Sequence, residues 1–240
     1  MLTLPELLKQ FQFITQETAA LGLFITAAII LIVRDWRTLV VALLIQYILV
    51  GLMLSHLVRP DIAILKVMIG AFICPILFLS ARQVSAGWNS FSLLAEPSNG
   101  PKQTLAQWWR NLSIRSLLVG RYRRRRQAAT GFTFRVMVAL LLILIATTLS
   151  RTLALPGLPA EITTGIYWLI LVGVVILILT EDPMKTGYGL FTLLSGFDLF
   201  YTPLEKSLLI TGLWGVVNLL LALAIGYLTV VRGAGPEEEL

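Results

Sequence analysis

At 240 residues, 57% of them hydrophobic and only 13% charged, the chain lacks the polar surface needed to cover a water-soluble globule of its size. A mean hydropathy of +0.85 and a formal net charge of +6 describe instead an all-α polytopic membrane protein. One cysteine, Cys74, and one histidine, His56, leave no disulfide framework, no metal-ligand cluster, no Ser/His/Asp triad and nothing to hold a redox centre, so no cofactor and no enzymatic activity are expected.

Glu6 and Glu17 make the N-terminus mixed in charge, and no small-residue cleavage site follows the first apolar run, so the segment is expected to be retained rather than cleaved as a signal. A window of roughly 20 residues, the length of helix that crosses about 30 Å of hydrocarbon, gives seven candidate spans. These are residues 19–33, 38–58, 62–82, 134–150, 163–180, 187–201 and 207–231. The first and sixth are short. The first can extend back through residues 4–11, and the sixth can sit buried among its neighbours; six spans is the fallback if it is re-entrant. Continuous apolar runs, rather than alternating ones, favour helices over barrel strands. The organisation expected is an N-terminal three-helix unit (1–82), a basic cytoplasmic loop (83–133), a single helix (134–150), a C-terminal three-helix unit (163–231) and an acidic tail (232–240).

Several residues within these spans are polar. Gln46 and Tyr47 in the second are expected to hydrogen-bond to a neighbouring helix. Lys66, four residues into the third span, can snorkel to headgroups or pair with Asp61, the reading slightly favoured, or take part in a proton path. Pro75 removes a backbone donor from the same span and is expected to kink it.

Ten of the 19 Lys and Arg residues lie between Arg82 and Arg135, against one acid, Glu96, which places this loop in the cytoplasm, the N-terminus outside and the C-terminus inside. Within the loop, Leu105, Trp108, Trp109 and Leu112 recur at helical spacing beside Arg110 and Arg115, the pattern of an amphipathic helix lying in the membrane interface. Arg121, Arg123, Arg124, Arg125 and Arg126 follow, with Tyr122 among them. Beside a transmembrane helix such a cluster serves as a topology anchor and a contact for anionic lipid or a protein partner; nucleic acid is the less favoured ligand by about four to one, given the positive-inside bias.

Asp198, inside the sixth span, is the leading functional candidate, because an acid in hydrocarbon is costly and usually carries protons or ions. The competing reading sets it near the outer interface, paired with Lys206. Asn218 in the seventh span is the nearest polar partner if the last two helices form an antiparallel pair.

The run Glu181-Asp182-Pro183-Met184-Lys185-Thr186-Gly187-Tyr188-Gly189-Leu190, followed by Pro203-Leu204-Glu205-Lys206-Ser207-Leu208-Leu209-Ile210-Thr211, resembles the three-helix K-type subunits of respiratory complex I and C-type subunits of multisubunit sodium/proton antiporters. Ile64-Leu65-Lys66-Val67-Met68-Ile69-Gly70, Pro75-Ile76-Leu77 and Ala81-Arg82 are similar to the third helix of the longer E component of membrane-bound hydrogenases, which ends in the same three-helix block. The resemblance spans residues 20–85 and 163–230. It implies a non-redox membrane subunit of a proton- or sodium-translocating complex in a prokaryotic plasma membrane, packed against larger antiporter-like subunits, with Asp198, Asn218 and Lys66 along a lateral proton path. The family's two buried glutamates fall at Phe191 and near Asn218, so neither is present, and Asp198 stands two helical turns beyond the first. A degenerate scaffold that bridges partners or lipid through its basic loop is the alternative.

The order span, charged hairpin, span, Pro-containing loop, span occurs twice about 147 residues apart, with Asp35 and Asp182 in the two hairpins. With seven helices the two copies run in the same direction, a parallel repeat.

Overall fold

The computed structural model describes residues 16–94, 131–155, 157–205 and 207–234, and within these residues the chain is helical with no strand. Its helices are α1 (Gln16–Ile32), α2 (Trp36–Leu57), α3 (Pro60–Leu94), α4 (Phe132–Thr152), α5 (Ala160–Leu179), α6 (Pro183–Tyr201) and α7 (Leu208–Ala234). Five of them, α2, α3, α4, α5 and α7, are long and apolar enough to cross a membrane, the mark of an integral membrane protein. The expected interfacial helix and the residues assigned to it and to the arginine cluster, Trp108, Trp109, Arg121, Arg123, Arg124, Arg125 and Arg126, lie outside the described residues, as do residues 4–11 and Lys206.

Two helices differ in extent from the apolar pattern. α3 continues twelve residues past Arg82, through Pro75 and on to Leu94, so the first part of the segment expected to be loop is helical. α6 starts four residues before Gly187, because Asp182 is an N-cap in extended conformation (φ −80°, ψ 122°) whose carboxylate accepts from the Met184 N–H, and Pro183 fills the first turn, where no backbone donor is needed. Asp35 caps α2 in the same way (φ −77°, ψ 117°), accepting from the Arg37 N–H and the Thr38 hydroxyl.

Chain direction alternates between two ends of the bundle, one carrying the Asp35 and Asp182 connectors and the other Asp61. Gly70 lies against Tyr47 and Gly51 against Val67, which makes α2 and α3 antiparallel; Gly215 lies against Ile69 and Gly226 against Ser80, which makes α3 and α7 parallel. Each helix of the first three therefore runs in the direction of its counterpart in the last three, and α1 packs on α5, α2 on α6 and α3 on α7. This is the geometry of a parallel repeat, with equivalent caps at Asp35 and Asp182.

α6 occupies the centre. It is not among the five long apolar helices, yet eleven of its residues are buried, and α2, α5, α7 and the end of α1 surround it. Its closest neighbour is α5, where glycines let the two backbones meet: a Cβ on Gly173 would stand 2.6 Å from the Leu193 amide nitrogen, and one on Gly196 3.1 Å from that of Ile170. α4, by contrast, buries only Arg135, Ala139, Leu142 and Ala146, a single helical stripe, and stands at the edge. Between α1 and α5, Phe24 stacks on the buried Trp168 with ring centroids 5.2 Å apart.

Candidate functional site

Lys66 on α3 and Asp198 on α6 meet inside the bundle. The Lys66 ammonium lies 2.6 Å from Asp198 Oδ1, and their side chains are 1% and 2% exposed. This corrects the favoured sequence reading of Lys66, because it neither snorkels nor pairs with Asp61. Asp61 is engaged by Arg59 at 2.9 Å in an exposed ion pair. The Asp198 carboxylate faces inward to α3 and is paired with Lys66, while Lys206, its partner in the competing reading, lies outside the described residues. Lys66 is six residues into α3 and Asp198 three residues from the end of α6, so the pair sits about 9 Å along α3 from its start, nearer the Asp61 end than mid-bundle.

The surroundings are aromatic and hydroxylic. Trp214 on α7 lies beside Asp198, and Tyr47 on α2 and Ser195 on α6 approach one another a turn deeper, though neither contact has the geometry of a formed hydrogen bond. Phe197 packs against Trp214 and against Tyr201 with ring centroids 5.5 Å apart in each case. The absence of a Cβ at Gly70 makes room for the Tyr47 ring, as any larger residue there would stand 2.4 Å from its Cγ.

Asn218 is fully buried on α7, one turn beyond Trp214 toward the other end. The structure does not bring it into the ion pair. Both of its amide atoms, like both of Gln46's, lack a hydrogen-bond partner among the described residues, and the same holds for the Tyr47 and Tyr188 hydroxyls and Asp198 Oδ2. Helix registers set Gln46 and Asn218 at similar depth, below the pair.

α6 itself carries a polar stripe. Tyr188, Thr192, Ser195, Asp198 and Thr202 recur at spacings of three and four residues, all of them buried, with Lys185 a turn before Tyr188. The Thr192 and Ser195 hydroxyls donate to the Tyr188 and Phe191 carbonyls one turn back, which leaves their oxygens free to accept. Phe191, where the resembled family has a glutamate, is fully buried in the core.

Placing an ammonium and a carboxylate in apolar surroundings costs several kcal/mol per ion before their attraction is counted, and close pairing with further hydrogen bonds is what offsets it. Here the pairing is close, but hydrogen bonding is incomplete, since Asp198 Oδ2 and the nearby Trp214 N–H make none. Such a pair can exchange states: a proton arriving at Asp198 neutralises the carboxylate and frees Lys66. Sequence reasoning missed Trp214, and it assigned Tyr47 and Gln46 to packing. The position of all three relative to Asp198 depends on helix register rather than on local pattern.

Among the described residues no three His, Cys, Asp or Glu side chains are grouped as metal ligands would be. No family model matches the chain, and neither does any curated protein or solved structure.

Proposed function

We propose that the chain is a non-redox integral membrane subunit of a proton- or sodium-translocating complex, of the respiratory, hydrogenase or antiporter kind that residues 20–85 and 163–230 resemble. In this reading all seven helices cross the membrane, the basic loop and C-terminus face the cytoplasm, and larger antiporter-like subunits pack against the bundle. The chain performs no catalysis of its own.

The observation that carries the reading is the Lys66–Asp198 pair, two opposite charges held at 2.6 Å inside an apolar bundle. A purely structural contact at this position would be met as well by hydrophobic side chains, often with a gain in stability. Along the bundle, Tyr188, Thr192, Ser195, Gln46 and Asn218 supply hydroxyl and amide groups through which protons reach or leave Asp198. The proton path is thus assigned to Asp198, Lys66 and Asn218, as the resemblance implies, with Tyr47 and Ser195 added.

A second reading, a scaffold without transport, is favoured by Phe191 and Asn218 standing where the family's glutamates belong. Under it, the arginine-rich segment 121–126 and the Trp108–Trp109 segment hold partners or anionic lipid.

Purification of the tagged chain from its own membrane in mild detergent tests the complex assignment. Larger polytopic chains are expected to co-elute in fixed ratio, and a chain that elutes alone or only with copies of itself contradicts it. Deleting residues 103–126 separates the two readings, since the scaffold loses its partners and the transport subunit keeps them.

A further inference from the structure

At the Asp35 end, a second charged cluster takes no part in the ion pair. Helix α1 terminates there, and its last carbonyls are met by two cations from distant parts of the chain. Arg135 on α4 donates from Nη1 to the Leu31 carbonyl at 3.3 Å, and Lys185 on α6 donates from Nζ to the Val33 carbonyl at 3.2 Å. One reading is a helix cap, since a helix C-terminus carries about half a negative elementary charge. Charge balance goes further than that. Arg135 and Lys185, two full positive charges on that terminus, already exceed the requirement. The nearby carboxylate of Asp182 is turned to the Met184 amide as the α6 cap.

Two observations point to a missing negative partner. Arg135 is 6% exposed, yet its Nε–H has no hydrogen-bond acceptor among the described residues, an expensive state for a guanidinium donor. Between Arg135 and Lys185 lies a cleft of about 10 Å³, lined also by Leu31, Ile176 and Thr180, with room for about one oxygen-sized group.

The geometry points to a phosphate-binding site at this end of the bundle, in which one phosphoryl oxygen enters the cleft and accepts from Arg135 Nε and the Lys185 ammonium. Arginine and lysine at a membrane boundary suit a phosphate in two settings, the headgroup of an anionic phospholipid and free phosphate. This site uses no residue of the arginine-rich loop and is formed by residues of α1, α4, α5 and α6, so it exists only in the folded bundle.

The full chain in non-ionic detergent is titrated with phosphatidylglycerol, with phosphatidylcholine and with inorganic phosphate, and thermal unfolding is followed. Saturable stabilisation by phosphatidylglycerol is expected, about 3 °C at tenfold excess over the dissociation constant. Lys185→Gln and Arg135→Gln are each expected to weaken it about tenfold, whereas Arg151→Gln, exposed at the opposite end, leaves it unchanged. A Lys185- and Arg135-dependent shift with phosphatidylglycerol alone identifies a lipid headgroup, and an equal shift with inorganic phosphate identifies a free anion. No shift with any probe overturns the site. So does a shift that survives both substitutions, which would locate binding in the arginine-rich loop. Should Arg135→Gln fail to fold through loss of the α1 cap, Lys185→Gln decides alone.

Discussion

An ammonium whose side chain is 1% exposed stays charged in an apolar bundle only by holding a counter-charge, and for Lys66 that counter-charge is Asp198. Asp198→Asn leaves Lys66 buried without its partner and is expected to destabilise the chain by about 3–5 kcal/mol. The double variant Lys66→Met/Asp198→Asn removes both charges and is expected to recover at least half of the loss, which unfolding in detergent measures directly. A loss in the double variant equal to the sum of the losses in Asp198→Asn and Lys66→Met would mean that the two side chains are not energetically coupled. The acid at position 198 and the base at position 66 are both conspicuous in the sequence, because charges inside apolar runs stand out. Their partnership is not. Lys66 lies five residues from Asp61 and 132 from Asp198, and local spacing favours the near partner, whereas the packing of α3 on the α6–α7 side brings the far one to 2.6 Å.

Helix positions and directions were largely legible, since apolar length sets the spans and short charged connectors force antiparallel neighbours. The ends were less so. Hydropathy stops α3 at Arg82 because the residues beyond are polar, but a helix does not need hydrocarbon to continue, and α3 runs to Leu94. At α6, the Glu181-Asp182-Pro183 run that contributed to the family resemblance has a simple physical account: Asp182 caps the helix and Pro183 fills its first turn. Any helix entered from a tight connector gains from that pair of residues, which is why the run alone carries little family information. At Gly173 and Gly196 the backbones of α5 and α6 leave no room for a side chain. Gly173→Leu forces a side chain against the Leu193 backbone and is expected to lower stability by about 3 kcal/mol or to prevent folding. Gly165→Ala, on the same helix but with nothing within 4 Å of the added carbon, is expected to leave stability unchanged or slightly raise it. Thermal unfolding of the two variants side by side checks the contrast.

At the scale of the whole molecule, the repeat is retained in backbone and cap geometry but not in chemistry. Asp35 and Asp182 cap equivalent helices 147 residues apart, while the position equivalent to Asp198 is Gly51 and that equivalent to Lys66 is Leu213. The charged pair therefore belongs to one place in the assembled bundle and not to each half, and no internal comparison of the sequence could have found it. Orientation rests on the arginine distribution. With Cys74 replaced, Arg34→Cys and Asp61→Cys are expected to react with a membrane-impermeant thiol reagent from opposite sides, the first only from the cytoplasm. Labelling of both from one side would remove α2 from the set of spans.

The central claim, that Lys66 and Asp198 carry ions across the membrane within a larger complex, is tested most directly by ion movement itself. Membrane vesicles holding the assembled complex are given an imposed sodium or pH gradient, and proton flux is compared between the native chain and Lys66→Met/Asp198→Asn at matched abundance. The account predicts that flux falls about tenfold or more while the complex remains assembled, because the protonatable groups are gone and the bundle is not. Unchanged flux through an assembled double variant would contradict it and leave the pair as a structural contact alone.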